Sequence, residues 1–198
     1  DAAMKAAPFW TDNADEVKKA LGGLSVVYSP LNGAGNKPVR EVMGRLGVGR
    51  VDIVKAQENP DGHFPTCPYP NPEKEESMRE AFKLAEETKP DIVIMTDPDC
   101  DRVGVAIERA DGSYGRVTGN EIGLLMFKYL AEARKNGMAG GMPSRPVVAR
   151  TTVTSSIIDR IAAKYGIDVK RTPTGFKYIG ELMRELEEEG REDDFVFG

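Results

Sequence analysis

Three carboxylates alternate within five residues, Asp97, Asp99 and Asp101, in the stretch Thr96-Asp97-Pro98-Asp99-Cys100-Asp101-Arg102. Ionised carboxylates held this close repel one another, so a proton or a cation must relieve them. The i, i+2, i+4 spacing, on a turn stiffened by Pro98, suits a hard divalent ion. Mg2+ takes carboxylate oxygens and leaves positions open for a substrate phosphate. Arg102 adds a planar guanidinium fork that matches phosphate. A solvated Asp-rich turn has the same composition; the regular spacing, the abutting Arg and the apolar flanks favour a metal site. Cys100 is given no role, because thiolate favours softer metals and alternation points it away from the carboxylates.

The second stretch able to carry chemistry is Thr172-Pro173-Thr174-Gly175-Phe176-Lys177-Tyr178-Ile179-Gly180. A hydroxyl-proline-hydroxyl-glycine turn opening a helix offers backbone donors, two hydroxyls and Lys177 to an anion. Lysine recognises phosphate as a point charge and acts as a base when its pKa falls. Two further features are weaker. The glycine-bearing loop Leu31–Pro38 is a tight turn between strand and helix, or a phosphate cradle. Pro60, Pro65, Pro68, Pro70 and Pro72 stiffen the long irregular segment from Gln57 to Glu73, and such segments are often functional. Its lone His63 reads as structural or exposed.

Elements that must position these residues follow from periodicity. Ile92–Met95 and Val103–Ile107 are short apolar runs that read as buried strands returning on each other, with the acidic loop between them. Further strands are expected at 24–28, 51–54, 147–149, 169–171 and 195–197. Helices are expected over 39–46, with Val39, Val42, Met43 and Leu46 inward, over 73–88 capped by Asn71, over 157–165 and over 181–189. Asp12 or Asn13 is placed as the cap of a first helix through Val17 and Leu21. Thr118 or Asn120 is placed as the cap of a helix over 121–135, with Ile122, Leu125, Met126, Tyr129 and Leu130 facing inward. Strand and helix alternate twice, with a break near Tyr114–Gly119. The expected architecture is therefore α/β, with two consecutive small domains at 1–115 and 116–198, each a mixed sheet packed by helices.

Composition narrows the class. At 198 residues, 40% hydrophobic and 30% charged, the chain suits one large domain or two small ones. A formal charge of -5 opposes a nucleic-acid surface, and no apolar run approaches the roughly 20 residues of a membrane span. Two cysteines are too few for a disulfide framework, which favours a reducing, cytoplasmic setting. The chain starts at Asp1 and ends in an apolar strand at Gly198, as an excised piece of a longer protein would.

Asp97-Pro98-Asp99-Cys100-Asp101-Arg102 resembles the Asp-Pro-Asp-x-Asp-Arg metal loop of the phosphoglucomutase/phosphomannomutase (α-D-phosphohexomutase) family. Other motifs follow in that family's order. Pro60-Asp61-Gly62-His63-Phe64-Pro65 and Pro70-Asn71-Pro72-Glu73 resemble signatures of its second domain, and Thr118-Gly119-Asn120-Glu121 the start of its third. Arg150-Thr151-Thr152-Val153-Thr154-Ser155 and Thr172–Gly180 resemble two stretches of the phosphoglucomutase-type branch. Arg150 stands where that branch often shows Lys, and because Arg stays charged a proton-transfer role there is disfavoured.

The resemblance implies domain 2 and most of domain 3 of a four-domain enzyme that interconverts hexose 1-phosphate and hexose 6-phosphate, glucose favoured and mannose possible. It implies Mg2+ on Asp97, Asp99 and Asp101, a phosphoserine on domain 1, and hexose 1,6-bisphosphate as activator and intermediate. Lys177 and Arg102 would be the catalytic groups, with Thr174, Gly175 and Lys177 binding substrate. The serine, the sugar-binding loop and domain 4, which would be partners of this piece, lie outside it, so the piece alone would not turn over. The competing readings are a non-catalytic divalent-metal module that binds a partner through its proline-rich loop, and a pentose phosphomutase of the same family. A Ca2+ loop of EF-hand type lacks its glycine at the sixth position, which is Arg102. A cut enzyme is expected to leave an unpaired strand near Phe195–Phe197, a freestanding module clean ends.

Overall fold

The computed structural model describes residues 8–198, with side chains from residue 14 onward. The chain forms two compact units, Asn13–Gly119 and one built from Asn120–Gly198. In the first, β1 (Ser25–Ser29), β2 (Arg50–Ile53), β3 (Ile92–Thr96), β4 (Val103–Glu108) and β5 (Tyr114–Val117) form one sheet ordered β2-β1-β3-β4-β5. The first three strands are parallel, and β4 and β5 add antiparallel ribbons at one side.

Alternation along β1 builds two layers. Val27 packs with Val93, Met95 and Ala106 against Met78, Ala81 and Ala85 of α3 (Glu75–Thr88). Val26 and Tyr28 point the other way and meet Met43 of α2 (Asn36–Leu46). Successive strand side chains face opposite sides, so a five-residue apolar strand serves both helix layers. On α2 the expected stripe holds only in part, since Val42 is exposed.

The second unit has a parallel sheet ordered β7-β6-β8, from β6 (Val147–Thr151), β7 (Asp168–Thr172) and β8 (Phe195–Phe197). Val148 and Val196 share its core with Phe127 and Ala131 of α4 (Gly119–Lys135) and Ile158 and Ala162 of α5 (Ile157–Tyr165). β8 pairs with β6, so it is not the unpaired strand expected; apolar Val196 gains burial by joining the edge. Among the described residues no helix is long and apolar enough to cross a membrane.

Several boundaries differ from the sequence expectation. Helix α1 (Pro8–Leu21) begins by Pro8, so Asp12 and Asn13 lie inside it rather than at its cap; proline suits a first turn, whose N–H groups have no helical partner. Asn71 does not cap α3. Its Oδ1 accepts the Glu73 N–H in a turn of its own, and Lys74 holds the cap position. α6 (Phe176–Glu188) starts five residues before Glu181, which makes Phe176–Gly180 helical. Asn120 likewise lies within α4, whose buried face is Phe127, Ala131 and Ala133, while Leu125, Met126 and Tyr129 are exposed. Leu125→Ser is therefore expected to change stability by no more than about 0.5 kcal/mol; a larger loss in urea denaturation would show that this face is covered.

Candidate functional site

The β3–β4 hairpin delivers the acidic loop. Thr96 and Val103 are paired across the ladder, so residues 97–102 form the whole connection. Asp97 is fully buried, and Arg102 folds back onto it: the backbone N–H donates to Oδ1 at 2.9 Å and Nε–H to Oδ2 at 2.7 Å. The backbone closes the same ring, with Cys100 N–H donating to the Asp97 carbonyl at 3.0 Å. Cys100 takes φ 64°, a left-handed conformation that costs a non-glycine residue roughly 1–2 kcal/mol. Glu108, twelfth from Asp97, ends β4, too far along an extended strand to complete an EF-hand.

Asp97, Asp99 and Asp101 each bring a carboxylate oxygen within 4.8 Å of the others. Three hard carboxylate oxygens gathered this closely are a donor set that would suit a hard divalent ion such as Mg2+. Burial alone would raise the Asp97 pKa, but the hydrogen bonds from Arg102 outweigh it and the carboxyl is held below its usual range. Asp101 is pushed up, first by its hydrogen bond to Asp97 and then by burial and by repulsion from Asp99 and Asp97.

Beside this loop lies a cavity of about 600 Å³ lined by Phe64, Tyr69, Asn71, Lys74, Asp99 and Arg102 among others. The proline-rich segment thus forms one wall of the metal loop's own cavity. Arg102 spends Nε on Asp97, which leaves its terminal nitrogens for a ligand. His63 does not line the cavity; its ring is exposed, with Nδ1 3.1 Å from Asp61 Oδ1.

The glycine loop has a task that its sequence did not reveal. It backs the metal loop: Ala34 N–H donates to the Pro98 carbonyl at 2.8 Å. A Cβ on Gly33 would lie 2.3 Å from Pro98 Cα, and one on Gly35 would lie 2.6 Å from Thr96 Oγ1 and 2.7 Å from the Tyr28 hydroxyl. Only glycine allows this approach. Tyr28 and Thr96 hydrogen-bond at 2.9 Å beneath it, and burial pushes the Tyr28 phenol up to about 12 despite the opposing pull of that bond.

In the second unit, two of the noted stretches meet. Thr152 Oγ1 lies 3.3 Å from Thr174 Oγ1, which joins the loop after β6 to the loop after β7. Gly175 sits at φ 131°, open to glycine and strained for any other residue. Lys177 Nζ rests 4.6 Å from the centre of the Tyr178 ring, and Phe176 is 88% exposed beside it. Asn120, rather than capping its helix, accepts the Ser155 N–H at 2.7 Å and pins the first loop. Arg150 lies against Asp159, its Nε 2.7 Å from Oδ1.

Comparison with known proteins agrees with the two units. The family profile described as phosphoglucomutase/phosphomannomutase, alpha/beta/alpha domain II, matches residues 8–112, and that for alpha/beta/alpha domain III matches residues 118–198. A probable phosphomannomutase of Haemophilus influenzae is 33% identical over 172 residues, which are 87% of this chain and 34% of that protein. The phosphopentomutase of Homo sapiens is 33% identical over 174 residues, 86% of this chain and 28% of that protein. The chain thus spans about a third of the length of such relatives. A crystal structure of a putative phosphomannomutase from Thermus thermophilus shares the fold, with TM-score 0.64 and 23% identity over 93% of this chain and 38% of that one.

Proposed function

The chain belongs to the phosphoglucomutase/phosphomannomutase family, of which it carries domains II and III, and from that premise we propose that it is the metal-binding and sugar-facing part of a phosphohexomutase. The observation that carries this reading is the convergence of three carboxylates on one hairpin, with the free end of the Arg102 guanidinium beside them over an open cavity. Mg2+ bound by Asp97, Asp99 and Asp101 would offset the charge on a transferring phosphoryl group. The phosphoryl group would be carried by a serine elsewhere in a longer chain, and hexose 1,6-bisphosphate would be the intermediate and activator. Arg102 holds Asp97 in place with Nε and turns its terminal nitrogens to phosphate. Thr174 and Gly175 bind the sugar phosphate at the start of α6. Lys177 leaves the Tyr178 ring to take or return the proton at the reacting sugar hydroxyl. Glucose is the favoured sugar, on the Thr-Gly-Phe-Lys and Thr-Gly-Asn-Glu matches. Free Cys67 and Cys100 fit a reducing, cytoplasmic setting. Alone, these two domains would not turn over.

The test is a mutase assay on a longer protein that includes these domains, with a trace of hexose 1,6-bisphosphate. Glucose 1-phosphate, mannose 1-phosphate and, because a relative is named a phosphopentomutase, ribose 1-phosphate are supplied separately. Conversion fastest with glucose 1-phosphate, and abolished by EDTA and restored by Mg2+, is the expected result. Faster conversion of ribose 1-phosphate would move the reading to a pentose phosphomutase, and no conversion of any sugar would overturn it.

A further inference from the structure

Arg150 and Arg171 are register partners on adjacent parallel strands, β6 and β7. Like charges so placed repel. Between them stands Asp159, in the first turn of α5, where a carboxylate also suits the helix N-terminus. Asp159 Oδ2 accepts from Arg150 Nη2 at 3.3 Å and from Arg171 Nη2 at 3.0 Å. Arg150 Nε lies 2.7 Å from Oδ1 without hydrogen-bond alignment, a contact of charge alone. The Arg150 side chain is only 11% exposed, so its charge depends on this partner, and its Nη1 also donates to the Thr154 carbonyl at 3.2 Å. Each arginine stands at the root of one of the two loops that meet at Thr152 and Thr174.

We propose that Asp159 is a positioning residue: one carboxylate shared by two arginines holds the ends of β6 and β7 together, so that the Thr152–Ser156 loop and the Pro173–Gly175 loop that opens α6 form a single surface. As the groups assigned to substrate lie on the second loop and in the first turn of α6, a role in catalysis rests on the phosphohexomutase reading; the clamp itself does not. One carboxylate against two guanidinium groups leaves one surplus positive charge at the base of a hydroxyl-rich surface, which suits a phosphate-bearing ligand.

Amide hydrogen exchange on this chain tests the clamp without any ligand. In Asp159→Asn, the Thr151 and Ser155 amides, now held by Thr154 Oγ1 and Asn120 Oδ1, are expected to exchange at least tenfold faster. Those of Ala149 in β6 and Ala162 in α5 should keep their rates. Adding Arg171→Gln to Asp159→Asn removes the repulsion and should restore most of the protection, a rescue that a merely stabilising residue would not give. Unchanged exchange at Thr151 and Ser155, an equal rise at Ala149 and Ala162, or no rescue would overturn the proposal. In the longer enzyme, Asp159→Asn should raise KM for the sugar phosphate about tenfold more than it lowers kcat. A longer wild-type protein with no turnover would overturn the functional reading and leave the exchange result standing.

Discussion

Gly33→Ala is expected to destabilise the first unit by about 3 kcal/mol and to weaken its hold on Mg2+ by about 10–100-fold. The added Cβ would lie 2.3 Å from Pro98 Cα, 2.4 Å from the Pro98 carbonyl oxygen and 2.7 Å from its carbonyl carbon. These are backbone atoms with no rotamer to give way, so one loop must move. Overpacking of this kind costs typically about 1–3 kcal/mol, and a rigid backbone contact lies at the upper end. The shift falls on the residue between two ligand candidates, and disturbing the groups that orient metal ligands costs about 10–100-fold in affinity. Gly44→Ala is the control, because nothing lies within 4 Å of its added Cβ in α2. There alanine should be neutral or stabilising by up to about 1 kcal/mol. Urea denaturation and calorimetric Mg2+ titration of both variants decide the matter. Equal behaviour of the two would mean that the glycine loop does not set the metal loop.

That contact was not legible beforehand, and the reason is physical. A glycine in a sequence announces a backbone need without naming the partner, and Pro98 stands 65 residues from Gly33. The metal loop was legible because everything that makes it is local: β-branched strands on both sides, a stiffened turn and alternating carboxylates. The face of α4 was misread because this helix carries two apolar stripes of the same spacing. Of the face expected, Leu130 does pack on the core, whereas Leu125, Met126 and Tyr129 are exposed; they satisfy the helical period as well as Leu124, Phe127 and Ala131 do, and only packing chooses between them. Strand β5 escaped notice since Gly115 interrupts any alternation in four residues; it exists because β4 offers it a ladder and Tyr114 donates to the Pro90 carbonyl at 2.9 Å. The meeting of Thr152 and Thr174 could be suspected from two motifs but was fixed only by parallel pairing of β6 with β7.

Asp99→Asn should lower kcat in the longer enzyme by about 10²–10³-fold, as loss of one preorganised electrostatic group does. It should do so without harming the fold. Asp99 is exposed, and among the described residues its carboxylate forms no ion pair; its charge repels Asp101 and attracts Arg102 through solvent, so the two largely offset in the metal-free protein. Its melting temperature without Mg2+ should match or exceed that of wild type. What should vanish is the response to the ion. At a hundred times its dissociation constant a ligand adds about 2.7 kcal/mol, a rise of roughly 10 °C for a domain of this size. Wild type should show such a rise with saturating Mg2+, and Asp99→Asn little or none. Asp97→Asn must behave differently. Asp97 is buried, both its oxygens accept from Arg102, and the loop closes through that pair. An amide cannot serve both donors, so this variant should lose the Mg2+ response and melt lower without the ion. If Asp99→Asn also melts lower, the cluster is held together by its carboxylates rather than strained by them, and the case for a cation site weakens. If Asp97→Asn keeps wild-type stability, Arg102 is not the clasp of the loop, and its orientation toward phosphate would need another cause.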